Sequence, residues 1–338
     1  MRITNTTPFV ANTTVCQNRD GRDHLVVILK ATYGLESDGR VVPEEEQQPL
    51  EPTDVYYGDP LTSSIRLEGE LIPPKPGTDV VLVGHAHAPS QQPSTQLDVG
   101  IKVGPVSKVI RVFGDRFWDI GLMRSRMAPA LPFVTMPLVF ERAFGGEERD
   151  NQKPQRHQEP RNPVGRGLVW PGNAETQPPL PNLEDPRELI KSIRDRPAPA
   201  CFGFVGRHWK PRVDLVGTYD DAWRKNRFPL LPEDFDERHY QAAHPDLIAT
   251  PHLRGDETVE AHHVTPDQPI WSFQLPGFQP HADVTVANHT CEVPLAFDTL
   301  VLLPDAKRFL MLWRGQLDVH NRMLQVTHIR VQGRNGSW

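Results

Sequence analysis

Short runs in which apolar and β-branched residues cluster or alternate dominate both ends of this chain. Leu25-Val-Val-Ile-Leu29 with Lys30-Ala-Thr-Tyr33 predicts a strand over His24 to Leu35. From Ser64 to Leu71, the positions Ile65, Leu67, Gly69 and Leu71 alternate with Arg66, Glu68 and Glu70, the period of a strand with one wet face. Asp79 to His87 and Val99 to Val103 predict further strands. Val106 to Phe113 and Arg116 to Ile120 flank Gly114-Asp115 and predict a hairpin. Near the other end, Glu257 to Val264 pairs with Ile270 to Leu275 across Thr265-Pro-Asp-Gln268. Leu300 to Leu303 likewise pairs with Arg308 to Trp313 across Pro304-Asp-Ala-Lys307, and Met323 to Val331 closes the series. Connections this short predict antiparallel meanders.

The middle of the chain has no such grammar. Asp185 as an N-cap, Pro186 at the first helical position and Glu188 predict a short helix from Pro186 to Ser192. Thr218 can cap a second from Tyr219 to Lys225, with Asp220 and Asp221 at its positive end, and Pro232 to Ala243 predicts a third. Helices so short need docking contacts, for which Tyr219, Trp223, Phe235 and Tyr240 are the candidates. Glu147 to Arg161, charged and Pro-bearing, reads as a loop. Trp170, Phe202, Phe204, Trp209, Trp223 and Phe228 supply aromatic area to hold the rest against the β regions. The expected fold is mainly β (α+β), with antiparallel β lobes at both ends and a Pro/Gly-rich middle carrying a few short helices. It forms one unit over residues 1–338, with an N-terminal β lobe (1–146), a loop-rich middle (147–250) and a C-terminal β region (251–338).

Composition sharpens this picture. The chain has 35 prolines in 338 residues, about twice the average usage of ~5%, which favours short elements over helical bundles. With 37 basic and 43 acidic residues its net charge of -6 gives no electrostatic capture of nucleic acid or anionic membrane. Cys16, Cys201 and Cys291 are odd in number and far apart, which suits a reducing compartment. The start, Met1-Arg-Ile-Thr-Asn-Thr-Thr-Pro8, has no charged-then-apolar signal pattern, and the reading is a soluble cytoplasmic protein.

Candidate chemistry is sparse. His85-x-His87 places two imidazoles on one face of a strand, a spacing able to chelate, without further ligands in view, while His262 and His263 point to opposite faces. Asp220-Asp221 and Asp234-x-Asp236 resemble the paired carboxylates of a metal-dependent hydrolase, but capping and turn chemistry selects Asp at such places. Gly203 and Gly206 lack the strand-to-helix setting of a dinucleotide fingerprint. The sequence contains no Gly-x-Ser-x-Gly elbow, Walker loop or His-Glu-x-x-His helix. The expectation is therefore no catalytic residue, no metal and no cofactor. Arginines interspersed with acids in the middle, Arg142, Arg161, Arg166, Arg207, Arg212, Arg224, Arg227 and Arg238, read as a salt-bridge network more than as an anion site.

Several phrases occur in a fixed order: Asn5-x-Thr-Pro8, Glu141-Arg-Ala-Phe-Gly-Gly146, Asn162-Pro-Val-Gly-Arg-Gly167, Leu180-Pro-Asn-Leu-Glu-Asp-Pro186, Trp209-x-Pro-Arg212, Gly217-Thr-Tyr-Asp220 with Trp223, Arg227-x-Pro229, Pro232-x-Asp-Phe-Asp236 and Leu253-Arg-Gly255 with Glu257. Together they resemble domain-of-unknown-function family 2169, to about Leu275 and more loosely beyond. The run Cys201-Phe-Gly-Phe-Val205 departs from the aromatic or Gly-Pro-like stretch usual there. The resemblance implies a bacterial accessory protein of type VI secretion. Such a protein is a chaperone or adaptor that binds an effector carrying a PAAR-type domain and helps load it onto the VgrG spike, without enzymatic activity. It carries over no known binding residues. From residue type alone, Arg142, Arg161, Arg166, Arg207, Trp209, Tyr219, Trp223 and Arg227 are the partner-binding candidates. A hydrolase using the aspartates near Asp220 and Asp234 is the alternative, and a carbohydrate-binding β module a weaker third reading.

Overall fold

A computed structural model describes residues 1–36, 38–121, 125–149, 156–169 and 177–334. It is built mainly of β-strands, with one α-helix among the described residues, α1 (Asp221–Asn226). Its first three strands are β1 (Arg2–Asn5), β2 (Val10–Gln17) and β3 (Asp23–Leu35).

The largest sheet runs in the order Ile248–Ala249, Thr78–Leu82, Ala296–Leu303, Arg308–Asp318, β3, β2, with Val41–Pro43 added beside β3. Arg308–Asp318 pairs with β3 from Arg308 opposite Gly34 to Asp318 opposite His24. A second sheet runs β1, Val326–Gly333, Pro280–Val286, His289–Pro294, and a third Leu183–Glu184, Val106–Phe113, Gln96–Val103, Thr258–His262, Ile270–Gln274. Every one of these sheets therefore mixes strands from early and late in the chain. Two of the joins are parallel, Thr78–Leu82 with Ala296–Leu303 and β1 with Val326–Gly333, because strands so remote in sequence need not meet as hairpins.

Aromatic rings tie the sheets together. Phe309 stacks on Tyr33 at 5.2 Å and on Phe273 at 4.8 Å, while Phe278 meets Trp313 edge-on at 5.7 Å and Phe9 at 5.3 Å. All are buried, and each such side chain contributes roughly 1.5–3 kcal/mol by leaving water. The opposite face of the large sheet, carrying Lys30 and Thr32 of β3, is covered by the chain from Glu44 to Lys75.

Several strand expectations agree with the structure: β3, the pairing of Thr258–His262 with Ile270–Gln274, and that of Ala296–Leu303 with Arg308–Asp318, where Lys307 takes the left-handed conformation of the turn. Others need correction. Val106–Phe113 pairs with Gln96–Val103 across Gly104-Pro105, not with Arg116–Ile120, because Gly104 supplies the positive φ of 52° that the tight turn requires. Trp118–Ile120 pairs instead with Ser125–Met127. Asp79 to His87 is two strands, since at Gly84 the chain leaves one partner for another. The last strand is Val326–Gly333, with a 3-10 turn over Met323–Gln325. Only Ile65–Leu67 of the Ser64 to Leu71 run is strand, and Glu68 and Glu70 are buried where a wet face was expected.

The middle also differs in detail. No helix forms at Pro186 to Ser192: Asp185 accepts from Arg187 N and Glu184 from Ile190 N, so side chains close the turns that helical bonds would have closed. Pro232 to Ala243 holds only a 3-10 turn, Glu237–Tyr240, capped by Asp236. In the Glu147 to Arg161 segment, read as loop, Glu147–Arg149 pairs with Arg156–Gln158, and residues 150–155 lie outside the described residues. Phe202 and Phe204 are buried as expected, Trp170 lies outside the described residues, and Phe228 is exposed. No helix among the described residues is long and apolar enough to cross a membrane.

Candidate functional site: an aromatic surface at a short helix

Gly217 turns the chain with φ 82°, and its Cα lies so close to Asp234 and Pro232 that a Cβ would clash. Thr218 then donates its N–H and hydroxyl to the Asp234 carboxylate at 2.9 and 2.7 Å. The helix cap is Asp220, not Thr218: its Oδ1 accepts from Trp223 N at 2.7 Å, and α1 follows. Trp223 is half-buried and donates its indole N–H to Leu230 O at 2.9 Å. Arg227 donates to Leu231 O at 2.5 Å and to Arg19 O at 2.6 Å, and Arg19 donates to Glu233 O at 3.2 Å.

This frame leaves aromatic rings in solvent. Tyr219 is 51% exposed and Phe228 67%, and they flank Trp223 with ring centroids at 4.7 and 5.7 Å. A cleft of about 360 Å3 opens beside them, lined by Asp220, Trp223, Arg227, Glu233 and Asp234 among others. Large rings held by a hydrogen-bonded frame lose little freedom on contact, the condition under which such residues anchor a partner. The aspartates here bond their own loop. Asp234 is held below the ordinary carboxylate range by the Thr218 hydroxyl, and Asp236 by the Arg238 guanidinium, so both stand as anions bonded to their own loop. Among the described residues no three His, Cys, Asp or Glu side chains are placed to hold a metal.

Of the candidate residues, Tyr219, Trp223 and Arg227 meet at this surface and the others lie elsewhere. Arg142 bonds Asp115 at 2.8 Å and Asn182 at 3.1 Å. Arg166 donates to Glu141 O at 2.9 Å, and Arg161 is held by Glu159 and by Arg196 O. Trp209 sits edge-on against Phe140 at 5.3 Å, partly buried. Arg207 reaches Asp54 at 3.3 Å and Glu68 at 3.7 Å. These contacts lock the recurrent phrases to one another. Glu141 accepts from both Ser64 N and Ser64 Oγ, and Asn162 Nδ2 donates to Phe140 O and Phe144 O.

A buried ionic network escaped the sequence reading. Lys75 Nζ lies 3.0 Å from Glu68 and 2.7 Å from Asp79, and Arg212 bonds the other Glu68 oxygen at 2.8 Å. Lys30 pairs with Glu70 at 2.8 Å, and Arg314 with Asp298, which a bulge between Phe297 and Thr299 sets out of register. Burial drives carboxyl pKa values up, and for Glu68 the cations Lys75, Arg212 and Arg207 outweigh it, bringing the group down to about 2. Glu70 and Asp79 remain raised by burial despite Lys30 and Lys75, and Asp79 Oδ1 has no hydrogen-bond partner among the described residues. The only sequence signal was alternation at Glu68 and Glu70, which a wet face produces equally well. His85 and His87 do share a face, and both meet Asp305, at 2.7 and 3.5 Å.

No curated protein and no solved structure is significantly similar to the chain. A family model matches residues 20–314. That match spans the buried network, the interlocked phrases and the α1 surface, and on it the chain belongs to the family DUF2169, described as an uncharacterized protein conserved in bacteria.

Proposed function

We propose that the protein is a chaperone or adaptor of type VI secretion, binding an effector that carries a PAAR-type domain and assisting its transfer to the VgrG spike in the bacterial cytoplasm. The ordered phrases that resemble this family motivate the reading. The observation that carries it is the exposure of Tyr219 and Phe228 on either side of Trp223, on a frame fixed by Asp220, Asp234 and Arg227. Exposed rings on an ordered support are costly to solubility unless a partner covers them, and they are the residue types that dominate association energies. The aspartates that would serve a hydrolase instead cap α1 and close the loop beneath it.

Co-expression with the effector encoded beside its gene tests the reading. A complex that survives purification, together with loss of effector abundance and delivery in a deletion strain, is the expected result. Unchanged effector solubility and delivery in that strain would remove the proposal.

A further inference from the structure

We infer that β2 is the seat of an extended, uncharged segment of the partner, which joins the large sheet as one more strand. β2 reads Val10-Ala-Asn-Thr-Thr-Val-Cys-Gln17 and keeps unbroken antiparallel register with β3, from Val10 opposite Lys30 to Gln17 opposite Asp23. Among the described residues no strand lies on its other side and no backbone-to-backbone hydrogen bond outside that ladder reaches residues 10–17; Thr13 N donates to the neighbouring Asn12 Oδ1 at 2.8 Å, a side chain that an incoming strand can displace.

A bare edge presents a row of unpaired N–H and C=O groups, and proteins ordinarily blunt it by shortness, charge, proline or a bulge. Several other edges show this, whereas the five-residue edge strand Ile270–Gln274 of the third sheet does not. At the far side of the same sheet Ile248–Ala249 is two residues long, β1 is four residues and begins with Arg2, and His289–Pro294 carries Glu292 and ends in proline. β2 has eight residues and none of these devices, and its Val15 is 46% exposed.

The edge also selects its occupant. A charged side chain laid over Val10, Thr13, Thr14 or Val15 would lose water and gain no counter-charge from β2, so an uncharged, β-prone segment fits. Its Gln17 end continues into the aromatic surface. Arg19 O accepts from Arg227, Arg19 donates to Glu233 O, and Leu230 lies against Gly21, so one linear segment can run along β2 and on to Tyr219 and Phe228. A second copy fits less well. Two such edges of short side chains would meet over only about 27 Å of strand, a narrow contact beside the roughly 1,200–2,000 Å2 that stable interfaces bury.

This inference rests on the adaptor reading, and the experiment separates the two. The full-length protein, alone and in complex with the effector encoded beside its gene, is followed by amide hydrogen exchange. The outward amides of Val10 to Gln17 are expected to slow at least tenfold in the complex. Val15→Lys, which places a charge on an exposed position, is expected to weaken the complex at least tenfold while thermal melting is unchanged. A complex that leaves β2 exchange and Val15→Lys binding unaltered overturns the strand addition and leaves the adaptor reading standing. Concentration-dependent protection of β2 in the protein alone, with a dimer in sedimentation, assigns the edge to a second copy and also overturns it. Failure to form any complex removes the adaptor reading and this inference together.

Discussion

Arg212 and Glu68 are 144 residues apart in the chain and meet at 2.8 Å with both side chains shut off from solvent. The contact ties the loop-rich middle to the cover of the large sheet, and Lys75 completes it from the other carboxylate oxygen. Charges in such a place are tolerated only in company, because removing one leaves the others buried and uncompensated. Glu68→Gln is expected to cost roughly 3–5 kcal/mol in urea unfolding.

The same carboxylate gives a pH signature. With Glu68 held at about 2 in the native state and an unfolded value near 4.3, its contribution is present above about pH 4.3 and lost as pH falls toward 2. Glu70 and Asp79, raised in the native state, act in the opposite sense: the stability they add at low pH is lost as pH rises. Subtracting the Glu68→Gln curve from that of the unaltered protein gives the effect of Glu68 together with its coupling to Asp79, and the gap between them should narrow from pH 5 to pH 2. A constant gap would show that Glu68 titrates alike in the native and unfolded states.

Asn162 offers a test of how the recurrent phrases hold together. Its side-chain amide donates to Phe140 O at 2.8 Å and Phe144 O at 3.0 Å, and Gly145, with φ 149°, passes so close that a Cβ would lie 2.1 Å from Asn162 O. Phe140 O keeps a second donor in Ala143 N, so Asn162→Ala bares chiefly the Phe144 carbonyl and should cost about 1–3 kcal/mol. Gly145→Ala must move backbone as well and should melt at a lower temperature than Asn162→Ala.

Much of the β framework was legible because period and turn chemistry are local. Leu300 to Leu303, the Pro304 turn and Arg308 to Trp313 announce a hairpin, and the hairpin is there. The partners of Val106–Phe113 were not legible, since Gly104-Pro105 and Gly114-Asp115 are both credible turns and only packing chooses between them. Glu68 and Glu70 misled for a stronger reason. Their cations include Arg212 and Lys30, brought in from remote segments, and no window of sequence contains that information. At the candidate site, Tyr219 and Trp223 could be selected by type, whereas Trp209 turning inward and Phe228 outward depends on tertiary surroundings.

His85 should titrate above the ordinary histidine value of about 6.5, because its Nδ1 is hydrogen-bonded to Asp305 at 2.7 Å. A raised value means that the pair adds stability at pH below about 6.5 and loses it as pH rises through the native midpoint. NMR titration of the ring should show that midpoint fall in Asp305→Asn. An unchanged midpoint would detach the shift from the carboxylate.

Phe228 and Trp223 belong to one surface but should answer differently to truncation. Phe228 is mostly in solvent, and Phe228→Ser should change stability by no more than about 0.5 kcal/mol. Trp223→Ala removes the ring that both Tyr219 and Phe228 touch and leaves Leu230 O without the indole donor, and it should cost about 1–3 kcal/mol. Binding should rank them otherwise. If the exposed rings seat the effector, Phe228→Ser loses affinity without losing stability, by about 2 kcal/mol or more, a factor of roughly 30 in Kd. Calorimetric titration of the effector into each variant, beside a melting curve, reads both quantities. Full affinity in Phe228→Ser and Tyr219→Ser would move the docking site away from α1 and leave Trp223 as a structural residue alone.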